Sequence, residues 1–98
     1  MELRDSNEQT LKEVLQQFLR TFGLEKRMDE QRVIAGWEKV TGPMITKYTR
    51  NIRMRNKVLY VEITSSVVRN ELNYAREQLV KALNEEAGKE VVKKIVIR

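Results

Sequence analysis

The sequence predicts an α+β fold in which a three-stranded sheet carries helices mainly on one face. Three observations predict it within 98 residues: two segments with helical periodicity, then two alternating segments joined by a tight turn, then a long helical segment and a last strand. The order is therefore α-α-β-β-α-β. The tight turn makes the first two strands antiparallel, and the long helix leaves room for a crossover to the last strand. No linker or repeat divides the chain, so we expect one domain over residues 1–98.

The first helix is predicted by apolar residues that recur at i, i+3, i+4, i+7, i+8 and i+11, which is one stripe of an amphipathic helix. These residues are Leu11, Val14, Leu15, Phe18, Leu19 and Phe22. Ser6 and Gln9 fit a capping box just before the stripe. Gly23 stands where a helix commonly ends in the left-handed backbone region.

The second helix is predicted to begin near Asp29, a favourable N-cap, and to end at Gly42-Pro43. Its apolar positions at i, i+4 and i+7 are Val33, Trp37 and Val40. Pro43 suits the first position of a short helical turn that continues to about Tyr48.

Two strands are predicted next, over residues 49–55 and 58–64. In the second strand, Leu59, Val61 and Ile63 alternate with other residues and so form a core face. The connection is residues 55–57, where Asn56 is best suited to a positive φ.

A third helix is predicted over residues 66–87, with Ser65 or Ser66 as its N-cap and Gly88 at its end. Its apolar stripe is Val68, Leu72, Ala75, Leu79 and Leu83. A final strand over residues 91–98 places Ile95 and Ile97 on one face.

The composition excludes several kinds of chemistry. Without cysteine or histidine, the chain forms no disulfide and offers no thiolate or imidazole to a metal. The commonest general base is missing as well, so we expect neither an enzyme nor a cofactor. No apolar run reaches the length of a membrane span, and the polar N-terminus lacks the apolar region of a signal peptide, which predicts a cytoplasmic protein.

Positive charge gathers in one segment. The net charge is +5, and no Asp or Glu lies between Lys39 and Tyr60. The cations of this region are Lys47, Arg50, Arg53, Arg55 and Lys57. Strand alternation turns Arg53 and Arg55 to one face and Arg50 to the other, although all can gather around a strand end and the hairpin tip. They are either solvated charges that discourage edge pairing or a surface for nucleic-acid phosphates.

Two aromatic residues also have two interpretations each. Trp37 is either a core residue whose indole N–H finds a partner or an exposed anchor for a partner protein. Tyr60 lies opposite the core face of its strand, where it is either covered by its neighbours or free to stack on a nucleobase.

The chain resembles the DciA family in a series of residues that keep their order and spacing. They are Trp37, Val40, Gly42, Ile45, Tyr48 and Thr49, then Leu59, Val61, Ile63 and Ser65, then Glu71-Leu72, Leu83-Asn84 and Gly88. The similarity extends from about Leu11 to the last strand, and many members have histidine at the position of Tyr48. It implies a KH-like topology, but no two glycines are spaced as in the Gly-x-x-Gly clamp of true KH domains.

The resemblance also implies a function in bacterial DNA replication, with the replicative helicase and DNA, single-stranded or forked, as partners. We therefore expect a non-enzymatic, DNA-associated adaptor that binds nucleic acid through the basic hairpin and Tyr60. Two alternatives remain from the residues alone. The positive face could recognise an acidic protein surface, or the KH-like topology could serve RNA binding.

Overall fold

The computed structural model describes the backbone of residues 7–98 and the side chains from residue 10 onward. Its elements in chain order are α1 Asn7–Thr21, α2 Leu24–Thr41, α3 Pro43–Lys47, β1 Thr49–Arg55, β2 Val58–Ile63, α4 Ser66–Tyr74, α5 Arg76–Ala87 and β3 Lys94–Ile97. The sheet order is β1-β2-β3; β1 pairs antiparallel with β2, and β2 pairs parallel with β3. The predicted α+β fold is confirmed.

One face of the sheet carries the core. Alternate residues of β2 and β3 point into it, and α2, α4 and α5 pack over them. The buried apolar residues are Leu59, Val61, Ile63, Ile95 and Ile97 of the sheet, Val33, Trp37, Leu72, Leu79 and Leu83 of the helices, and Val92. Within the described chain, the opposite face of the sheet has no helix packed on it.

The β1–β2 hairpin closes through two residues in the left-handed backbone region, Asn56 with φ 50° and Lys57 with φ 67°. A two-residue turn with positive φ at both positions matches the twist of the flanking strands. The prediction for Asn56 is confirmed, and Lys57 shares its conformation.

The predicted bounds of α2 need correction at the N-terminal end only. The helix begins at Leu24, five positions before Asp29, because Gly23 adopts φ 70° and separates α2 from α1. The residues 24–28 are good helix formers and continue the helix without a break. Asp29 is therefore not an N-cap. Its carboxylate instead forms an ion pair with Lys89, in which Oδ2 lies 2.9 Å from Nζ.

The predicted third helix is two helices, since the backbone leaves helical geometry at Ala75 (φ −103°, ψ 15°). Its start is as predicted, because the Ser65 hydroxyl accepts a hydrogen bond from the Val68 N–H at 3.3 Å. Its stripe also lies against the core, with Leu72, Leu79 and Leu83 buried.

The last strand begins at Lys94, three residues later than predicted, because Asn84 holds the preceding backbone. Its Oδ1 accepts hydrogen bonds from the N–H groups of Val91 at 2.9 Å and Val92 at 2.8 Å. Its Nδ2 donates to the Val92 carbonyl at 2.9 Å. Val92 is buried, so this short segment is a core loop rather than a strand.

Helix α1 forms as predicted and ends at Thr21, and Gly23 adopts the left-handed backbone expected just after it. The proposed capping box of Ser6 and Gln9 lies outside the described side chains. Most of its apolar stripe does not reach the core. Within the described chain, α1 packs mainly on α2, in a molecule of 60 × 22 × 20 Å. In the part of the chain that the structure describes, no helix is both long and apolar enough to span a bilayer.

Candidate nucleic-acid interface

The face of the sheet opposite the core, here called the open face, has Tyr60 at its centre. Its residues are Asn51, Arg53 and Arg55 of β1, Val58, Tyr60 and Glu62 of β2, Lys94 and Val96 of β3, and Arg98 directly after β3. Arg53 lies opposite Tyr60 on one side and Val96 lies opposite it on the other. The backbone of Arg98 continues the pairing with β2, since its N–H donates to the Val61 carbonyl at 2.9 Å.

Two guanidinium groups flank the tyrosine ring. The Arg53 Cζ lies 5.5 Å from the centroid of the Tyr60 ring, and the Arg98 Cζ lies 5.7 Å from it. Both distances are within the range of a cation–π interaction. The ring therefore stands between two cations, one from each side of its strand.

The next row of the open face adds two more cations, because Arg55, Val58 and Lys94 are opposite one another across the three strands. Among the described residues, no acidic side chain pairs with Arg53, Arg55, Lys94 or Arg98. The three strands carry one carboxylate, that of Glu62. Arg50 pairs with it, and the Arg50 Nε–H donates a hydrogen bond of 2.9 Å to Oε2. The positive charge of this face is therefore largely uncompensated.

The open face is a shallow strip and not an enclosed cavity. A depression of about 180 Å³ lies beside the Tyr60 ring and is lined by Asn51, Arg53, Tyr60, Val61, Glu62 and Arg98. Pockets for drug-sized molecules are larger, at about 300–1,000 Å³. The shape suits contact with an extended polymer better than capture of a small molecule.

The structure brings together only some of the residues predicted for this site. Arg53, Arg55 and Tyr60 share the open face, with their side chains on one side of the sheet. Lys47 lies at the end of α3, before β1, and Lys57 lies at the hairpin tip beyond it. Since β1 spans seven residues, about 20 Å of strand separates these two lysines.

Arg50 has a different position from the one that alternation predicts. A bulge between Thr49 and Asn51 leaves it without a strand partner, and its guanidinium reaches Glu62, a residue of the open face. The Arg50 guanidinium therefore lies at the Glu62 carboxylate, at the edge of the open face. Arg50 neutralises the one carboxylate of the strands.

Sequence reasoning missed Lys94 and Arg98 as members of this face. The alternation around the buried Ile95 and Ile97 contains the necessary signal, because it turns residues 94, 96 and 98 away from the core. What it does not contain is the parallel pairing of β3 with β2, which brings these cations beside Tyr60.

Trp37 is part of the core in this fold. It is 3% exposed, and its indole Nε1–H donates a hydrogen bond to Oγ1 of Thr49 at 3.0 Å. The ring thus offers almost no surface to a partner protein. Its burial favours the core interpretation over the partner-binding one.

A second cleft, of about 360 Å³, lies between the start of α2, the hairpin tip and the segment before β3. Lys57 and Met54 line one side of it, and Glu25 and Asp29 line the other. Lys89 pairs with both carboxylates, and its hydrogen bond to Asp29 raises the pKa of the Lys89 ammonium. Among the described residues, no acidic cluster could hold a metal ion.

A comparison with families of known proteins identifies the chain. No curated protein matches it. A family model described as Dna[CI] antecedent, DciA, matches residues 10–97, which is nearly the whole chain. This family implies a loader of the replicative helicase in DNA replication, and an adaptor rather than an enzyme. The chain belongs to the DciA family.

Proposed function

We propose that this protein is a non-enzymatic adaptor of the replicative helicase that holds DNA, single-stranded or forked, on the open face of its sheet. The observation that carries the proposal is the position of Tyr60 between the guanidinium groups of Arg53 and Arg98. Family membership supports the helicase as the partner.

The chemistry of this face fits a nucleic-acid backbone with unpaired bases. Arg53, Arg55, Lys94 and Arg98 supply charges that release counterions when they meet phosphates, so binding depends steeply on salt. Tyr60 supplies a ring on which a base can stack, whatever its sequence. Phosphate contacts and stacking confer no sequence specificity, which suits a protein that acts wherever a fork is opened.

Single-stranded DNA fits better than duplex DNA, because the bases of a duplex are stacked on one another and cannot reach Tyr60. A forked substrate offers both unpaired bases and a nearby duplex backbone. We therefore expect affinity to fall in the order forked or single-stranded DNA, then duplex DNA.

Fluorescence anisotropy with labelled single-stranded, forked and duplex DNA over a salt series tests the proposal. The test variant changes Arg53, Arg55, Lys94 and Arg98 to alanine. A matched control variant changes four exposed cations of the helices to alanine, namely Lys26, Arg27, Arg76 and Lys81. If all four open-face cations contact phosphates, the test variant loses about 3 units of the slope of log affinity against log salt. The control keeps the wild-type slope.

Three outcomes contradict the proposal. Equal loss in both variants means that net charge, and not the open face, governs binding. Wild-type protein that binds no DNA even at low salt indicates that the face serves an acidic protein surface. Tighter binding to single-stranded RNA than to DNA of the same sequence indicates an RNA-binding protein.

The helicase part of the proposal has a separate test. Immobilised protein is incubated with purified replicative helicase, with and without DNA, and the captured helicase is quantified. We expect capture without DNA, and equal capture by the open-face variant, because the proposal assigns the open face to DNA alone. Capture that requires DNA would mean that the two proteins only share a DNA ligand.

A further inference from the structure

Helix α1 presents an apolar stripe that no described part of the chain covers. The stripe residues are Leu11 (53% exposed), Val14 (58%), Leu15 (54%), Phe18 (52%) and Phe22 (64%). The rings of Phe18 and Phe22 lie 4.7 Å apart between centroids, so they form one continuous surface. The largest apolar patch of a protein is often functional, which makes this stripe a candidate interaction surface.

We propose that this stripe is a contact between two copies of the chain, formed by antiparallel pairing of their α1 helices about a twofold axis. This inference is independent of the DNA-binding proposal, because the stripe lies on a different element from the open face.

The size of the stripe fits a symmetric pair. Five apolar side chains, each about half exposed, present roughly 500 Å², which lies within the ~300–600 Å² of the largest apolar patch on a typical monomer. Two copies together would bury about 1,000 Å², the lower limit for a specific interface. We therefore expect the association to depend on protein concentration, because the contact lies at this lower limit.

The order of residues along the stripe is self-complementary when the helices run in opposite directions. Its first half carries Leu11, Val14 and Leu15, and the exposed residues of its second half are the aromatic Phe18 and Phe22. An antiparallel pair centred between residues 16 and 17 sets Phe18 against the partner's Leu15 and Phe22 against the partner's Leu11. Each large ring then meets a smaller side chain, and the twofold axis repeats both contacts.

Charge also favours the antiparallel arrangement. Each chain carries a net charge of +5, and α1 extends one end of a molecule 60 Å long. Antiparallel helices direct the two basic sheets to opposite ends of the pair, which lowers their repulsion. The two helix dipoles also align favourably in this arrangement, because each positive end lies near a negative one.

Light scattering coupled to size-exclusion chromatography, over a range of loading concentrations, tests the association. We expect the wild-type mass to rise towards that of a dimer as concentration increases. Phe18→Glu places a charge in the middle of the contact and should keep the protein monomeric. Tyr74→Glu, at an 87% exposed site on α4, is the matched control and should associate as the wild type does.

Cysteine crosslinking tests the orientation. The natural chain has no cysteine, so each variant carries a single thiol. Mixing the Leu11→Cys chain with the Phe22→Cys chain under mild oxidation should give mixed disulfide dimers in excess over the homodimers formed by each variant alone. A parallel pair would favour the homodimers, because it sets each position against itself.

Circular dichroism and the melting temperature establish that Phe18→Glu still folds, which we expect because the side chain is half exposed. The proposal is overturned if wild-type protein stays monomeric to millimolar concentration. It is also overturned if Phe18→Glu associates as the wild type does. If that variant also loses helicase capture, the stripe belongs to the helicase.

Discussion

The indole N–H of Trp37 on α2 donates a hydrogen bond to the hydroxyl of Thr49, the first residue of β1. The same hydroxyl donates to the Ile45 carbonyl of α3 at 2.9 Å. Thr49 thus joins three consecutive elements at one atom. The contact fixes the start of the strand that carries Arg53 and Arg55 towards the open face.

Trp37→Phe should lower the free energy of unfolding by about 1–2 kcal/mol, since it removes one hydrogen bond and part of a buried ring. Trp37→Ala should cost about 3–5 kcal/mol. Urea unfolding followed by circular dichroism measures both. Thr49→Val is the complementary change, because it leaves the buried indole N–H without an acceptor and should cost about 1–3 kcal/mol. A Thr49→Val protein as stable as the wild type would mean that the hydrogen bond contributes nothing.

Asn84 should be as important to stability as a core residue, although it is polar. Asn84→Ala removes three hydrogen bonds to the backbone of Val91 and Val92, and we expect a loss of about 2–3 kcal/mol. Asn84→Asp keeps the accepting oxygen and should lose less. The exposed Asn70 provides the control, where alanine should change stability by less than about 0.5 kcal/mol. Equal effects at the two positions would contradict this assignment.

The sequence predicted β1, the hairpin turn and the helical stripe of residues 68–83 because each depends on local periodicity or turn chemistry. The three boundaries that it misplaced depend on features that hydrophobic periodicity does not contain. The start of β3 is set by the Asn84 side chain, and the break at Ala75 has no signal in the helical stripe. Asp29 looked like an N-cap, yet Gly23 ends one helix and starts the next.

The candidate site also divides into residues that local periodicity predicts and residues that only the fold brings in. Alternation placed Arg53 and Arg55 on one face of the first strand and Tyr60 opposite the core face of the second, and the register of the hairpin brings the three together. Lys94 and Arg98 join them only through the parallel pairing of β3, and Arg50 leaves the pattern through a bulge. Periodicity predicted α1 but could not predict that its stripe lies outside the core, because an amphipathic pattern does not specify what covers it.

Lys89 should make a small contribution to stability that depends on pH and salt. Its pKa in the folded protein is raised above the usual 10.5, chiefly by the hydrogen bond to Asp29. The contribution is therefore complete below that usual pKa and is lost as pH rises through the raised value. Lys89→Met should be less stable than the wild type at neutral pH, with a difference that shrinks in strong alkali. The side chain is 44% exposed, so high salt should also reduce the difference. Urea unfolding at several pH values measures this, and a difference that grows with pH would contradict it.

Tyr60 should contribute stacking to DNA binding without changing its salt dependence. Tyr60→Ala should weaken binding to single-stranded DNA by about 1–3 kcal/mol, or roughly 5- to 150-fold, because a base loses its ring partner. Tyr60→Phe keeps the ring and should bind nearly as the wild type does. Anisotropy over a salt series separates this effect from charge, because Tyr60→Ala should shift the line of log affinity against log salt without changing its slope.

Tyr74 on α4 provides the control for this prediction. Tyr74 is 87% exposed and lies outside the open face, so Tyr74→Ala should leave DNA affinity unchanged. If Tyr60→Ala and Tyr60→Phe lose affinity equally, the hydroxyl rather than the ring makes the contact. If neither loses affinity, Tyr60 only holds Arg53 and Arg98 in place, and the cations alone form the interface.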